Sequence, residues 1–269
     1  MAIGATVSGL LAMVAASIPD RSRVLVAGGE FTSVSFPFGA QAGRGVSVVE
    51  ADLEELPRRA AEVDVVAVSV VQSADGRMVD LEELRAARAA GTTVVLDVSQ
   101  ALGWHVADVS WADVVVGAGY KWLGIPRGAA WMAVAPELEL VSSQAGWFAG
   151  DDPWATVYGL PLRLAAGARG YDTSPAWYSH VGAAVALPWL LGVDRAAVQE
   201  HCVGLADGLR VRLGMKPAGS AIVSVRRPGA LARLAVAGVV GAGRAGAARL
   251  SFHLYNTEAD VERAVAALS

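Results

Sequence analysis

Six short β-branched runs, at residues 23–26, 46–49, 63–71, 92–97, 113–116 and 129–134, punctuate the first half of the chain and restrict its fold more than any other feature. Short apolar runs bounded by turn residues read as buried strands. Helical patterns separate several of them, most clearly at 53–61 and at 80–90, where Asp80 can cap and Leu81, Leu84 and Ala87 share one face. Parallel neighbours need a crossover, and a sheet apolar on both faces needs covering on both. The alternation therefore predicts an α/β fold with a mostly parallel sheet between helices.

The rest of the chain changes character. Residues 146–178 are rich in aromatic residues, glycine and proline and read as loops over a site. A long helical segment at about 179–213 follows, then strands near 221–226 and 248–253. The last helix, 257–268, opens with Thr257 and has Asp260 three residues on, close to a capping box. At the other end, 2–17 reads as a strand end, a glycine turn and a buried helix. A secretory leader would place a basic residue before this stretch, and the first one here is Arg21. A transmembrane span would need roughly 20 strongly apolar residues rather than Gly, Ala and Ser.

With 269 residues, 54% of them hydrophobic, the chain can bury a large core and divide into one large and one smaller domain. A net charge of -4, a pI near 5.6 and scattered arginines give no nucleic-acid signature. The single cysteine, Cys202, rules out a disulfide framework and any multi-cysteine zinc site. It fits a reducing cytosol, so a cytoplasmic protein without a metal or a membrane anchor is expected. The glycine-rich stretch 238–246 lacks the following acid of a dinucleotide fingerprint. His105, His180, His201 and His253 are not spaced as metal ligands and read as satisfied or solvent-facing side chains.

Two residues stand out for their chemistry. Lys121 is one of two lysines beside twenty arginines, and it lies in Gly119-Tyr120-Lys121-Trp122-Leu123, just after the run 113–116. Arginine stays protonated and cannot capture a carbonyl as an amine. A lysine at the end of a buried strand either snorkels to solvent or serves such chemistry. Asp97 ends the run 92–97 and is followed by Ser99 and Gln100, while Ser73 follows 68–71. In an open parallel sheet these positions share the rim where ligands bind. An amine partly neutralised by burial and an acid facing it are what a pyridine aldehyde cofactor requires.

The residues Asp97-Val98-Ser99-Gln100, Gly119-Tyr120-Lys121-Trp122-Leu123 and Pro126-Arg127-Gly128 resemble those of the pyridoxal-phosphate enzymes of aminotransferase class V, a group that includes cysteine desulfurases and kynureninases. The resemblance implies pyridoxal 5′-phosphate as cofactor, an amino-acid substrate and a homodimer. It also implies a three-layer α/β/α large domain over 1–185 and a smaller α+β domain over 186–269. Lys121 would form the Schiff base and Asp97 would face the ring nitrogen. Thr6, in Gly4-Ala5-Thr6, and Tyr120 would hold the phosphate, and Phe31 would stack on the ring. Gln100 and Ser73 would lie near the phenolic oxygen. Ser174 would reach the partner subunit's phosphate, and Arg249 would grip the substrate carboxylate rather than form a structural salt bridge. Family members are usually longer, with helices ahead of the phosphate turn, so the resemblance implies an absent N-terminal segment.

Several reactions stay open at this point. Persulfide transfer needs a cysteine on the loop before Arg249, and 236–248 has none; Cys202 lies in a helical stretch and reads as a buried hydrophobe. Phe31, Tyr120 and Gly146-Trp147-Phe148 are similar to kynureninases, although Ala149-Gly150 stands where those enzymes have Gly-His. A carbon–sulfur lyase, amino-group transfer and an inactive scaffold complete the set. Trp147, Trp154 and Trp177 either line the substrate pocket or serve core or dimer packing.

Overall fold

The computed structural model describes residues 1–269. The first sheet is built from β1 (Ala2–Gly4), β2 (Arg23–Ala27), β3 (Ser47–Ala51), β4 (Val65–Ser69), β5 (Thr93–Asp97), β6 (Val114–Ala118) and β7 (Ala130–Val134). Their order is β1-β7-β6-β5-β4-β2-β3, and all neighbours are parallel except β7, which runs antiparallel to both β6 and β1. The expected α/β fold is therefore the one observed.

Strand alternation divides the core into two layers. Val24 and Val26 of β2 join Val65, Val95 and Val116 on one face, covered by α1 (Val7–Ser17) and α2 (Thr32–Gly39). Leu25 and Ala27 join Val66, Leu96 and Val94 on the other, covered by α3 (Leu56–Arg59) and α4 (Leu81–Ala89). Asp80 caps α4 as its type and position predict, accepting from the backbone N–H groups of Glu82 and Glu83. The helix expected at 53–61 shrinks to the single turn of α3 plus a 3-10 turn at Ala60–Glu62, since Pro57 admits a helix start but supplies no amide to extend it.

The long helical segment is broken. α5 (Trp177–Leu191) and α6 (Arg195–Arg212) meet at 94°, and Asp194 caps α6 by accepting from Ala196 and Ala197 N–H. No single helix is long and apolar enough to cross a membrane. A second, antiparallel sheet has the order β8-β10-β9, from β8 (Ile222–Val225), β9 (Ala242–Arg244) and β10 (Ala247–Ser251). α6, α7 (Ala230–Val236) and α8 (Glu258–Leu268) pack on it around Leu209, Val223, Leu234, Leu250 and Val261. The capping box of α8 forms in full between Thr257 and Asp260. Cys202 and Ile222 extend this unit into the core beneath the first sheet, so the second sheet stands beside the carboxyl ends of β4, β5 and β6.

Candidate active site

The sheet reverses its order of assembly between β2 and β4, which are neighbours although β3 lies between them in sequence. Such a switch point opens a crevice at the strand ends. Glu30 closes its floor. Oε1 accepts from Phe31 N (2.8 Å) and Ser69 Oγ (2.6 Å), and Oε2 accepts from Ser69 N and Gln72 Nε2, both at 2.9 Å. Four donors to one buried carboxylate tie the end of β2 to the end of β4 and fix the residue that opens α2, Phe31.

Asp97 is the last residue of β5 and is buried; Ser99 N donates to its Oδ1 at 2.8 Å. Burial raises its pKa, the hydrogen bonds from Ser99 and the charge of Lys121 opposing that rise. Lys121 follows β6 on a turn closed by Gly124 N to Lys121 O (3.2 Å) and Ile125 N to Gly119 O (3.0 Å). Its Nζ stands 5.5 Å from the centre of the Phe31 ring and 5.8 Å from that of Tyr120, and it makes no ion pair. Burial lowers its pKa, with Asp97 pulling it back up and Arg249, Arg127 and Arg244 pushing it further down. Desolvation thus drives both groups toward their neutral forms.

α5 braces the turn that carries Lys121. Leu123, Ile125 and Ala129 pack with Ala183, and Ser179 Oγ donates to the Arg127 carbonyl. Gly128, at φ +104, admits this approach; a Cβ there would lie 2.8 Å from Ser179 Oγ.

Asp97, Lys121, Phe31 and Tyr120 border one cavity of about 480 Å³ with the N-terminal turn of α1. Thr6 caps that helix, its Oγ1 accepting from Gly9 N at 3.1 Å, and Ser8, Ser33 and Arg127 lie along the same wall. No acidic residue occupies the first turn of α1, so free N–H groups, hydroxyls and a guanidinium form an anion-accepting end. An amine, an acid, an aromatic ring and an anion seat line one space, which is the donor set that pyridoxal phosphate needs.

A second cavity, about 330 Å³, shares Phe31, Tyr120, Lys121 and Arg127 with the first and is closed by the second sheet. Arg249 on β10 donates from Nη1 to Ser73 O at 2.9 Å; it pairs with no carboxylate, and its Nε is buried without a partner. Ser73 Oγ accepts from Gln100 Nε2 at 3.1 Å, and Gln100 Oε1 accepts from Trp122 Nε1 at 3.1 Å. Gln100, Ser73 and Arg249, distant in sequence, therefore meet.

Arg244, Ser251 and Tyr255 also line this cavity without having been singled out in the sequence, and His253, read there as satisfied or solvent-facing, lines it too. His253 stacks on Trp122 (5.5 Å, 7°) and on Tyr255 (4.5 Å, 20°). Its Nε2 donates to the Trp122 carbonyl at 3.0 Å, leaving Nδ1 buried and unpaired. The available signal was the alternation Arg249, Ser251, His253, which puts three polar side chains on one face of a strand.

Ser174 is exposed and borders neither cavity of its own chain, and no residue of 146–178 lines either one. Within one chain this mostly loop segment lies away from both cavities. Asp172 Oδ1 accepts from Ile3 N at 2.8 Å and Thr173 N donates to Ile3 O at 3.1 Å, fastening the segment to edge strand β1. Trp147 packs with Phe148 and Trp154, and Phe148 with Trp177, in a cluster where Trp154 is 81% exposed.

Comparison of the sequence with protein-family models and with curated proteins gives no match. Solved structures share the fold. The cysteine desulfurase CsdA of Escherichia coli superposes with a TM-score of 0.84 at 20% identity, over 99% of this chain and 77% of that one. The cystine C-S lyase C-DES, solved with its product cysteine persulfide, gives 0.87 at 17% identity, over 99% and 80%. A ureidoglycine–glyoxylate aminotransferase from Bacillus subtilis gives 0.65 at 18% identity, over 99% and 77%.

Proposed function

We propose that the chain is a pyridoxal 5′-phosphate enzyme of the class V aminotransferase kind, acting at the α or β carbon of an amino acid as a transaminase or lyase. One observation carries the reading: Lys121, an unpaired amine driven toward neutrality by burial, borders the same cavity as Asp97, Phe31 and the N-terminus of α1. Bound pyridoxal phosphate supplies an aldehyde for an amine and a ring that draws electrons from a carbanion. Lys121 is the group to capture that aldehyde and afterwards to carry a proton at Nζ. Asp97 holds a proton against the ring nitrogen. Thr6, Ser8 and Arg127, with the α1 N–H groups, seat the phosphate, and Tyr120 packs beside them. Arg249 offers its free Nη2 to the substrate carboxylate, while Gln100 and Ser73, fixed by each other and by Trp122, present the remaining amide N–H and hydroxyl nearby.

The structural relatives support the reading. One form of C-DES has glycine covalently linked to its PLP cofactor. Persulfide transfer does not fit this chain: Cys202 is buried in α6, its thiol pushed up to about 11, and the β9–β10 region holds no other cysteine. A carbon–sulfur lyase needs no such residue, and the cystine C-S lyase C-DES shares this fold.

A homodimer belongs to the proposal. α5 exposes Trp177, Val181, Val185 and Trp189 on the side of the molecule that carries Ser174, an apolar face suited to a second copy. The test is optical. Dialysis against pyridoxal phosphate should turn the chain yellow, Lys121→Ala should stay colourless, and candidate amino acids should shift the visible band. A folded dimer that stays colourless would instead be a scaffold.

A further inference from the structure

The cavity beneath the second sheet is cationic without compensation. Lys121, Arg127, Arg244 and Arg249 line it, and no Asp or Glu does. None of the three guanidinium groups forms an ion pair anywhere in the chain. Arg127 is accounted for at the boundary of the two cavities, its guanidinium 3.9 Å over the Tyr120 ring. Arg249 can satisfy one substrate carboxylate. Arg244 is surplus to both.

Its position follows from the hairpin. Ala242 pairs with Arg249 and Arg244 with Ala247, so the two arginines are diagonal neighbours on one face. Ala245 (φ 45) and Gly246 (φ 75) make the left-handed turn that folds β9 back over the cavity. The only hydrogen bond of the Arg244 guanidinium is from Nη1 to Gly243 O at 2.7 Å, within its own strand. Like charges side by side on a strand pair repel, and burial together with Arg244 depresses the pKa of Arg249. Arg244 is itself exposed, at the rim of the same cavity. An anion between them would relieve the repulsion.

We propose that the substrate carries a second anionic group seated against Arg244, so that the site takes an amino acid with an acidic side chain, its α-carboxylate on Arg249. The inference rests on the amino-acid reading above. Ser251 and Tyr255 add neutral hydrogen-bonding capacity around the same end.

Succinate and butyrate test it, because they match in length, differ by one carboxylate and carry no amine to react. Calorimetric titration of the full chain, with and without pyridoxal phosphate, should show succinate binding at least about tenfold tighter than butyrate. The preference should weaken with added salt and fall to about unity in Arg244→Gln, whereas Arg249→Gln should weaken both ligands. Equal affinity in the unmodified chain, or a preference retained in Arg244→Gln, overturns the proposal. The cofactor reading is judged separately by colour: a chain that prefers succinate but never turns yellow keeps the anion seat and refutes the cofactor, and a yellow chain without the preference does the reverse.

Discussion

Arg249 Nη1 on β10 donates to the backbone carbonyl of Ser73, after β4, at 2.9 Å, so a single guanidinium spans the two sheets and still keeps Nη2 free of hydrogen bonds beside the cavity between them. One end of the fork holds the crevice together and the other awaits a ligand. Arg249→Gln should lower kcat/KM for the amino-acid substrate by about 100-fold, mostly through KM, the scale expected for charge-assisted hydrogen bonds. Arg249→Lys should not restore it, because a compact ammonium lacks the planar fork whose separate arms face Ser73 and the carboxylate. Steady-state kinetics on the three forms checks this.

Asp97 predicts a trade between stability and function. Its pKa in the folded chain lies above the ordinary 3.8, so ionisation opposes folding. That penalty is absent below pH 3.8 and develops as pH rises through the raised value. Asp97→Asn should therefore raise the Tm of the cofactor-free chain at pH 7, by a margin that shrinks toward pH 3.8. It should also cut activity of the loaded chain by at least about 100-fold, since the ring nitrogen loses its acid. Thermal melts across pH read the first effect and kinetics the second.

Lys121 behaves as the mirror case. Burial places its pKa below the ordinary 10.5, so the neutral amine is favoured in the folded state and the ammonium form opposes folding as pH falls through the lowered value. Acetylation of Lys121, followed by peptide mass spectrometry, should reach half its maximal rate at a pH below 10.5. Lys121→Met should raise the Tm of the cofactor-free chain at pH 7.

Glu30 is structural in a way that bears on the site. Its four hydrogen bonds hold Ser69, Gln72 and Phe31 at the switch point. Glu30→Ala should cost about 3 kcal/mol by leaving buried donors unpaired, read as a fall in chemical-denaturation midpoint. Glu30→Gln, which keeps a carbonyl acceptor, should lose less. Both should weaken cofactor binding through Phe31.

The parts of this site that were legible in the sequence lie at the ends of strong apolar runs. Asp97 closes one such run and Lys121 sits on the turn after another, and the sheet brings them to one rim. Arg249 was legible from the motif around it. Arg244 was hidden because β9 is Ala-Gly-Arg, with no β-branched run to announce a strand; only its pairing with β10 places it. The position of 146–178 was hidden for a related reason: it is set by the Asp172 bond to Ile3, across 169 residues of sequence. The break between α5 and α6 did leave a trace, since Gly192 and the cap Asp194 interrupt the segment, but the apolar and alanine-rich sequence on either side masked it. α2 escaped because Pro37 lies inside it, near its end.

The most direct test is covalent. The chain has only two lysines, Lys121 in the cavity and Lys216 on the surface, so borohydride reduction of the pyridoxal-phosphate-loaded protein and peptide mass spectrometry give an unambiguous address. The expected result is one phosphopyridoxyl group per chain, on Lys121. A group on Lys216 or the N-terminus alone, or no modification of a well-folded chain, would contradict it.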